Sequence, residues 1–217
     1  MRARWTSGLA MLALSLALGA CGSDRSDRSD PVETERDSAG NTLQITSVGS
    51  LPGTPWLYAS FGVPSGGKFS SYSKPSRQRN ALLIDRESGE TIQLLPDNDG
   101  FVHDVWFVAA EAGALRETRS YVPDERDTPI DPPAYVLIET EILTDETSER
   151  LLLAGSMEEL ELISIASGFD RIKHLEMLDE TRLSVLLVKG GQYHLLVADL
   201  SNRNVLSSAK ITPRPVN

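Results

Sequence analysis

The sequence predicts an all-β body of about twelve antiparallel strands in three four-stranded meanders, a partial, propeller-like stack. Three observations lead there. Past residue 40 the apolar runs are short, five to nine residues, and rich in Val, Ile and Leu. Gly, Pro, Asp, Asn and Ser fill the segments between them, as they do between strands. The final runs, RIKHLEML, TRLSVLLVK, QYHLLVADL and NVLSSAKI, follow one another across tight connections.

Taken in order, the expected strands are 42–48, 55–62, 80–85, 90–95, 101–109, 134–143, 149–155, 159–165, 171–178, 182–189, 192–200 and 205–211. The last four are the clearest. Their turns are Asp179-Glu180, Gly190-Gly191 and Ser201-Asn202-Arg203-Asn204, too short for a crossover, so the strands must alternate in direction. Leu183, Val185 and Leu187 fall on one face of the second of them and Leu186 and Val188 on the other. A strand apolar on both faces is covered on both. Earlier, Asn80–Asp85 and Glu90–Leu95 flank Arg86-Glu87-Ser88-Gly89 as a hairpin. Three units fall short of the roughly four to eight blades that close a propeller. Two packed sheets of sandwich type are the alternative. A helical reading of 109–117 and of 148–163 competes, because short apolar runs do not by themselves separate helix from strand.

Before the body lie two segments of different character. Arg2 and Arg4 precede an apolar stretch from Gly8 to Leu18, which closes on Leu18-Gly19-Ala20-Cys21. A positive start, a short apolar core and small residues form an export signal, expected over 1–20. The Leu-Gly-Ala-Cys end resembles the lipobox of bacterial lipoproteins. That resemblance implies lipidation of Cys21, the only cysteine, with the protein facing the periplasm from the outer membrane. Several acyl chains on one residue anchor stably where a single chain does not. Residues 21–40 are expected to be the lipidated Cys and a tether, since Val32 is the only bulky apolar residue there. Residues 41–217 are left as one β-rich domain.

The charge is −10 overall and −12 once residues 1–20 are removed, because Arg2 and Arg4 leave and no acid does. Nucleic-acid binding needs a basic face and is not expected. No apolar run of 18 residues follows the signal, so no membrane-spanning helix is expected. One part of the body departs from its acidic balance. Loop 62–79 carries Lys68, Lys74, Arg77 and Arg79 with Phe69 and Tyr72 and no acid, which makes it a candidate contact loop.

Motifs of catalysis do not assemble. Gly62-Val63-Pro64-Ser65-Gly66-Gly67-Lys68 approaches a phosphate-binding loop, but Phe69 stands where Ser or Thr would hold Mg²⁺. Three Ser-x-x-Lys matches fall in a loop or a strand, where the spacing does not bring the pair together. His103, His174 and His194 stand on separate strands without ligand spacing. Asp97-Asn98-Asp99-Gly100 is rich in oxygen ligands but also reads as a turn. No catalytic residue, metal or cofactor is therefore expected.

Residues 80–98, 167–175 and 195–205 resemble an uncharacterised family of proteobacterial envelope lipoproteins. The resemblance rests on Arg79, Asn80, Asp85, Gly89, Leu95, Pro96, Asp97 and Asn98. These are turn positions and imply no activity. The expected role is a membrane-anchored binding or scaffold module, whose partner is an envelope protein or a second copy. The alternative is an envelope hydrolase whose site gathers dispersed groups such as His103, Asp104, His174 and His194.

Overall fold

In the computed structural model, residues 35–64, 77–115, 131–143 and 147–212 are described. They form thirteen strands and, among the described residues, no helix. β1 (Gln44–Ser50), β2 (Trp56–Val63), β3 (Arg77–Asp85) and β4 (Thr91–Gln93) make the first antiparallel meander. β5 (Phe101–Val108), β7 (Tyr135–Leu143), β8 (Ser148–Ser156) and β9 (Ile163–Ser167) make the second. β10 (Arg171–Met177), β11 (Arg182–Lys189), β12 (Gln192–Asp199) and β13 (Asn204–Lys210) make the third. Each expected strand has a counterpart, but the one expected over 159–165 starts only at Ile163, because residues 157–162 form the turn before it. The one addition is β6 (Gly113–Ala114), which pairs with β10 on the far edge of the third sheet. Residues 148–156 and 163–167 are strands, so the helical competitor fails there.

Alternation along β7 explains the stacking. Val136 and Ile138 join Ala81 and Leu83 of β3 in one core, while Leu137 joins Leu152, Leu175, Leu183, Val185 and Leu196 in another. The middle sheet is thus apolar on both faces and packed on both, which makes six consecutive residues of β7 buried. A third, smaller cluster of Leu43, Ala59, Phe61 and Leu82 lies on the other side of the first sheet. None of the three sheets closes into a barrel. The end strands contrast with the middle: every residue of β13 is exposed, and so is nearly all of β1.

The body starts earlier than residue 41. Arg36 bridges to Thr42, and Leu43 N–H donates to the Glu35 carbonyl. Asp37 is sealed against Arg79, with the carboxylate 2.8 Å from Nη2. Residues 35–40 therefore belong to the folded domain and not to the tether. A segment without bulky apolar residues can dock when a charge it carries is neutralised in place. The export signal and Cys21 lie outside the described residues.

Candidate functional site

The basic loop divides. Lys68, Phe69, Tyr72 and Lys74 lie outside the described residues, and Arg77 opens β3. Arg79 is not a contact residue. Its side chain is 7% exposed, donates from Nη1 to the carbonyls of Asp99 and Gly100, and has its guanidinium 4.1 Å from the centre of the Phe101 ring. Position along β3 placed it inward, beside the wholly buried Asn80. Asn80 donates to the Leu95 and Asp97 carbonyls and to Asn98 Oδ1, and accepts from the Leu95 amide. The Asp97–Gly100 turn is thereby held by Arg79 and Asn80, while the Asp97 and Asp99 carboxylates accept from the Asp99 and Ser38 amides.

The four residues of the hydrolase reading separate. His103 and Asp104 are on β5, His174 on β10 and His194 on β12, in a different sheet. His103 Nε2 lies 2.9 Å from Glu141 Oε2. Hydrogen bonds from Ser148 and His103 hold the Glu141 carboxyl below its usual range. Beside it, burial lifts Glu139 above the usual range although Arg150 stands 3.0 Å away. These groups extend the inner face of the middle sheet past its apolar part. Among the described residues no three His, Cys, Asp or Glu side chains are grouped so as to hold a metal ion.

The cleft lies elsewhere, and a recurring turn builds it. Each meander joins its third strand to its fourth by the same device. In the first, Asp85 Oδ1 accepts from the amides of Glu87 and Ser88, and Gly89 follows with φ +74°. In the third, Asp199 Oδ1 accepts from the amides of Ser201 and Asn202, and Arg203 has φ +54°. In the second, Ser156 Oγ accepts from the Glu159 amide, and Leu160 has φ +55°. Leu160 and Arg203 are the only non-glycine residues with positive φ among the described residues. Such a backbone costs an L-residue roughly 1–2 kcal/mol, so these turns are held by their surroundings.

Between the second and third of these turns opens a cleft of ≈ 800 Å³. The β8–β9 turn contributes Ser156, Glu158, Glu159 and Glu161, the β12–β13 turn Leu200, Ser201 and Arg203, and the start of β7 Tyr135. Arg203 reaches from one turn to the other, pairing with Glu159 and, at 2.7 Å, with Glu161. Tyr135 is only 8% exposed and belongs to the larger core. Burial raises its phenol pKa above 10, and the charges of Asp199, Asp179 and Glu180 raise it further. Its hydroxyl has no hydrogen-bond partner among the described residues.

No protein-family model, curated protein or solved structure matches this chain.

None of the cleft residues was singled out as a functional residue in the sequence. Tyr135 sits in an apolar run and reads as core, which its ring is. Ser201 and Arg203 were visible only as turn residues. The three turns could have been superposed on the Asp85-to-Gly89 spacing. That superposition would have exposed Leu160 and Arg203 as residues standing where a glycine belongs.

Proposed function

We propose that the chain is a lipid-anchored lipoprotein of the bacterial cell envelope, facing the periplasm from the outer membrane, and that its β-stack is a non-catalytic binding module. The observation that carries the reading is Leu18-Gly19-Ala20-Cys21 after a positive start and a short apolar core. The resemblance to uncharacterised proteobacterial envelope lipoproteins points the same way. The fold supports the binding part. Three stacked sheets make a platform, and the cleft sits on turns at strand ends, where binding residues are commonly carried by a scaffold. The hydrolase alternative calls for a pocket that gathers two or more of His103, Asp104, His174 and His194, and none of them lines the cleft.

Cys21→Ser is expected to abolish labelling by a fatty-acid analogue and to move the protein from the membrane to the soluble fraction. Membrane association unchanged in that variant would overturn the reading.

A further inference from the structure

The third sheet is covered on one face and bare on the other. Leu175, Val185 and Leu196 stand side by side and point into the core shared with the middle sheet. Alternation turns the neighbouring residues of each strand outward, in three cross-strand rows. Arg171, Val188, Tyr193 and Ile211 form the first row. His174, Leu186, Leu195 and Ala209 form the second. Glu176, Ser184, Val197 and Ser207 form the third. Among the described residues, no apolar member of these rows belongs to a core cluster. Tyr193 is 48%, Leu195 39% and Ile211 42% exposed. Exposed apolar residues gathered on one sheet face mark a contact surface.

Charge and size say which partner fits. Residues 41–169 hold nine Lys or Arg and twenty Asp or Glu, whereas residues 170–211 hold six and five. Two copies of this acidic chain therefore repel least across their third sheets. The rows are also complementary to their own reverse. Let a second copy be turned about a two-fold axis that crosses the strands at the second row. The first row of each copy then lies over the third row of the other. Arg171 of one copy meets Glu176 of the other, and the same pair forms again on the far side of the axis. Val188, Tyr193 and Ile211 meet the smaller Ser184, Val197 and Ser207, so that large side chains stand over small ones as interdigitating sheets require. The second row meets itself. Its Leu186, Leu195 and Ala209 are apolar, and its His174 already has Glu176 of its own chain at 3.4 Å. A contact of this isologous kind closes after two copies.

We propose that the bare face of the third sheet is a dimerisation surface, on which a second copy packs sheet on sheet with its strands reversed and Arg171 of each copy facing Glu176 of the other. The inference rests on the binding-module reading and names its partner. The twelve positions of the three rows are about half of the roughly 20–30 residues that a standard interface uses on each side, so the contact is a weak one. Half-association in solution is expected at about 10–100 µM.

The test is sedimentation equilibrium of the full chain in density-matched detergent, from about 5 to 500 µM. A monomer–dimer equilibrium is expected for the wild type. Leu195→Asp sets like charges against each other at the centre of the contact and should weaken dimerisation about 10-fold or more. Leu195 is exposed in the single chain, so that variant should keep the thermal midpoint of dilute protein nearly unchanged, which separates lost association from lost folding. Arg171→Glu and Glu176→Arg should each weaken dimerisation about 5-fold, and the two together should return it to within about 2-fold of the wild type. That rescue requires the two positions to face each other between copies, because within one chain they stand at opposite ends of β10. A wild type still monomeric at about 500 µM, a dimer indifferent to Leu195→Asp, or charge reversals that do not rescue each other overturns the proposal. The Cys21 experiment is independent. If Cys21 is labelled while the chain stays monomeric, the dimer assignment alone falls.

Discussion

Arg79 and Asn80 are neighbours on one strand, and both point at backbone that would otherwise be loose. Arg79 holds the Asp99 and Gly100 carbonyls on one side and Asp37 on the other. Asp37 is fixed in turn by the backbone and side chain of Asn41. Burial alone would raise the Asp37 carboxyl, but the Asn41 hydrogen bonds and the Arg79 charge outweigh it and hold it low. Removing one member leaves a buried charge and stranded carbonyls. Arg79→Met should therefore cost about 3–5 kcal/mol in urea unfolding. A cost under about 1 kcal/mol would mean that residues 35–43 do not depend on the pair.

Two other carboxylates set the acid limit. Asp179 is held at about 2 by the Thr181 amide and by Arg182, and Asp199 at about 2 by Asn202 and Ser201. Both are depressed from 3.8, so the folded state binds fewer protons than the unfolded state between these values. Their stabilisation is fully present above pH about 4 and disappears as pH falls toward 2. The thermal midpoint of the wild type should drop more steeply over that window than that of Asp179→Asn/Asp199→Asn, with the two curves meeting near pH 2. Parallel curves would show that these turns hold no proton-linked stability.

Among the elements, the turn between third and fourth strands is the informative one. Gly89 occupies the position that Leu160 and Arg203 fill in the other meanders. A Cβ on Gly89 would meet nothing within 4 Å, so Gly89→Ala tests backbone conformation alone. It should cost about 1–2 kcal/mol. Arg203→Gly runs the comparison backwards. It relieves the backbone and removes ion pairs to exposed glutamates, which are worth little. That variant should be neutral to about 1 kcal/mol more stable by chemical unfolding. Destabilisation of more than about 1 kcal/mol would show that the bridge from Arg203 to Glu159 and Glu161 holds the two turns together.

This scale also shows how far the residues could be read. Strand positions were legible because short β-branched runs and Asp or Gly turns both mark the ends of strands. Gly190 and Gly191, with φ +58° and +74°, do what a two-residue hairpin asks of them. β6 was not legible: two small residues in AAEAGALRE carry no strand pattern, and only pairing with β10 makes them one. Arg79 was misread because its charge was counted and its register along the strand was not. The cleft was out of reach for a similar reason. It depends on which turns meet, and the stacking of sheets decides that.

Across the whole domain, burial is graded from the middle sheet outwards. Val136, Leu137 and Ile138 are fully buried, whereas Asn204–Lys210 is exposed throughout. Amide hydrogen exchange should follow this gradient. Protection along Val136–Ile138 should approach the global unfolding free energy, and that of β13 should be lost through local fraying. Uniform protection across the sheets would mean that something covers β13 in solution. Far-UV circular dichroism should show strand signal with little helix.

The pairing of β6 with β10 has a consequence for how the chain can be divided. Gly113 and Ala114 leave the middle meander and finish the border of the last one, opposite Met177 and Glu176. The three sheets look like three interchangeable modules, yet the seams between them do not coincide with breaks in the chain. A fragment holding only β10–β13 would keep its four strands and lose its border, leaving the end of β10 free to recruit another strand. A fragment ending at Ser167 would carry β6 with nothing to pair against. The repeat can be counted in threes, but it cannot be cut there, and any natural shortening or duplication of this architecture would have to move the two residues of β6 together with the sheet they border.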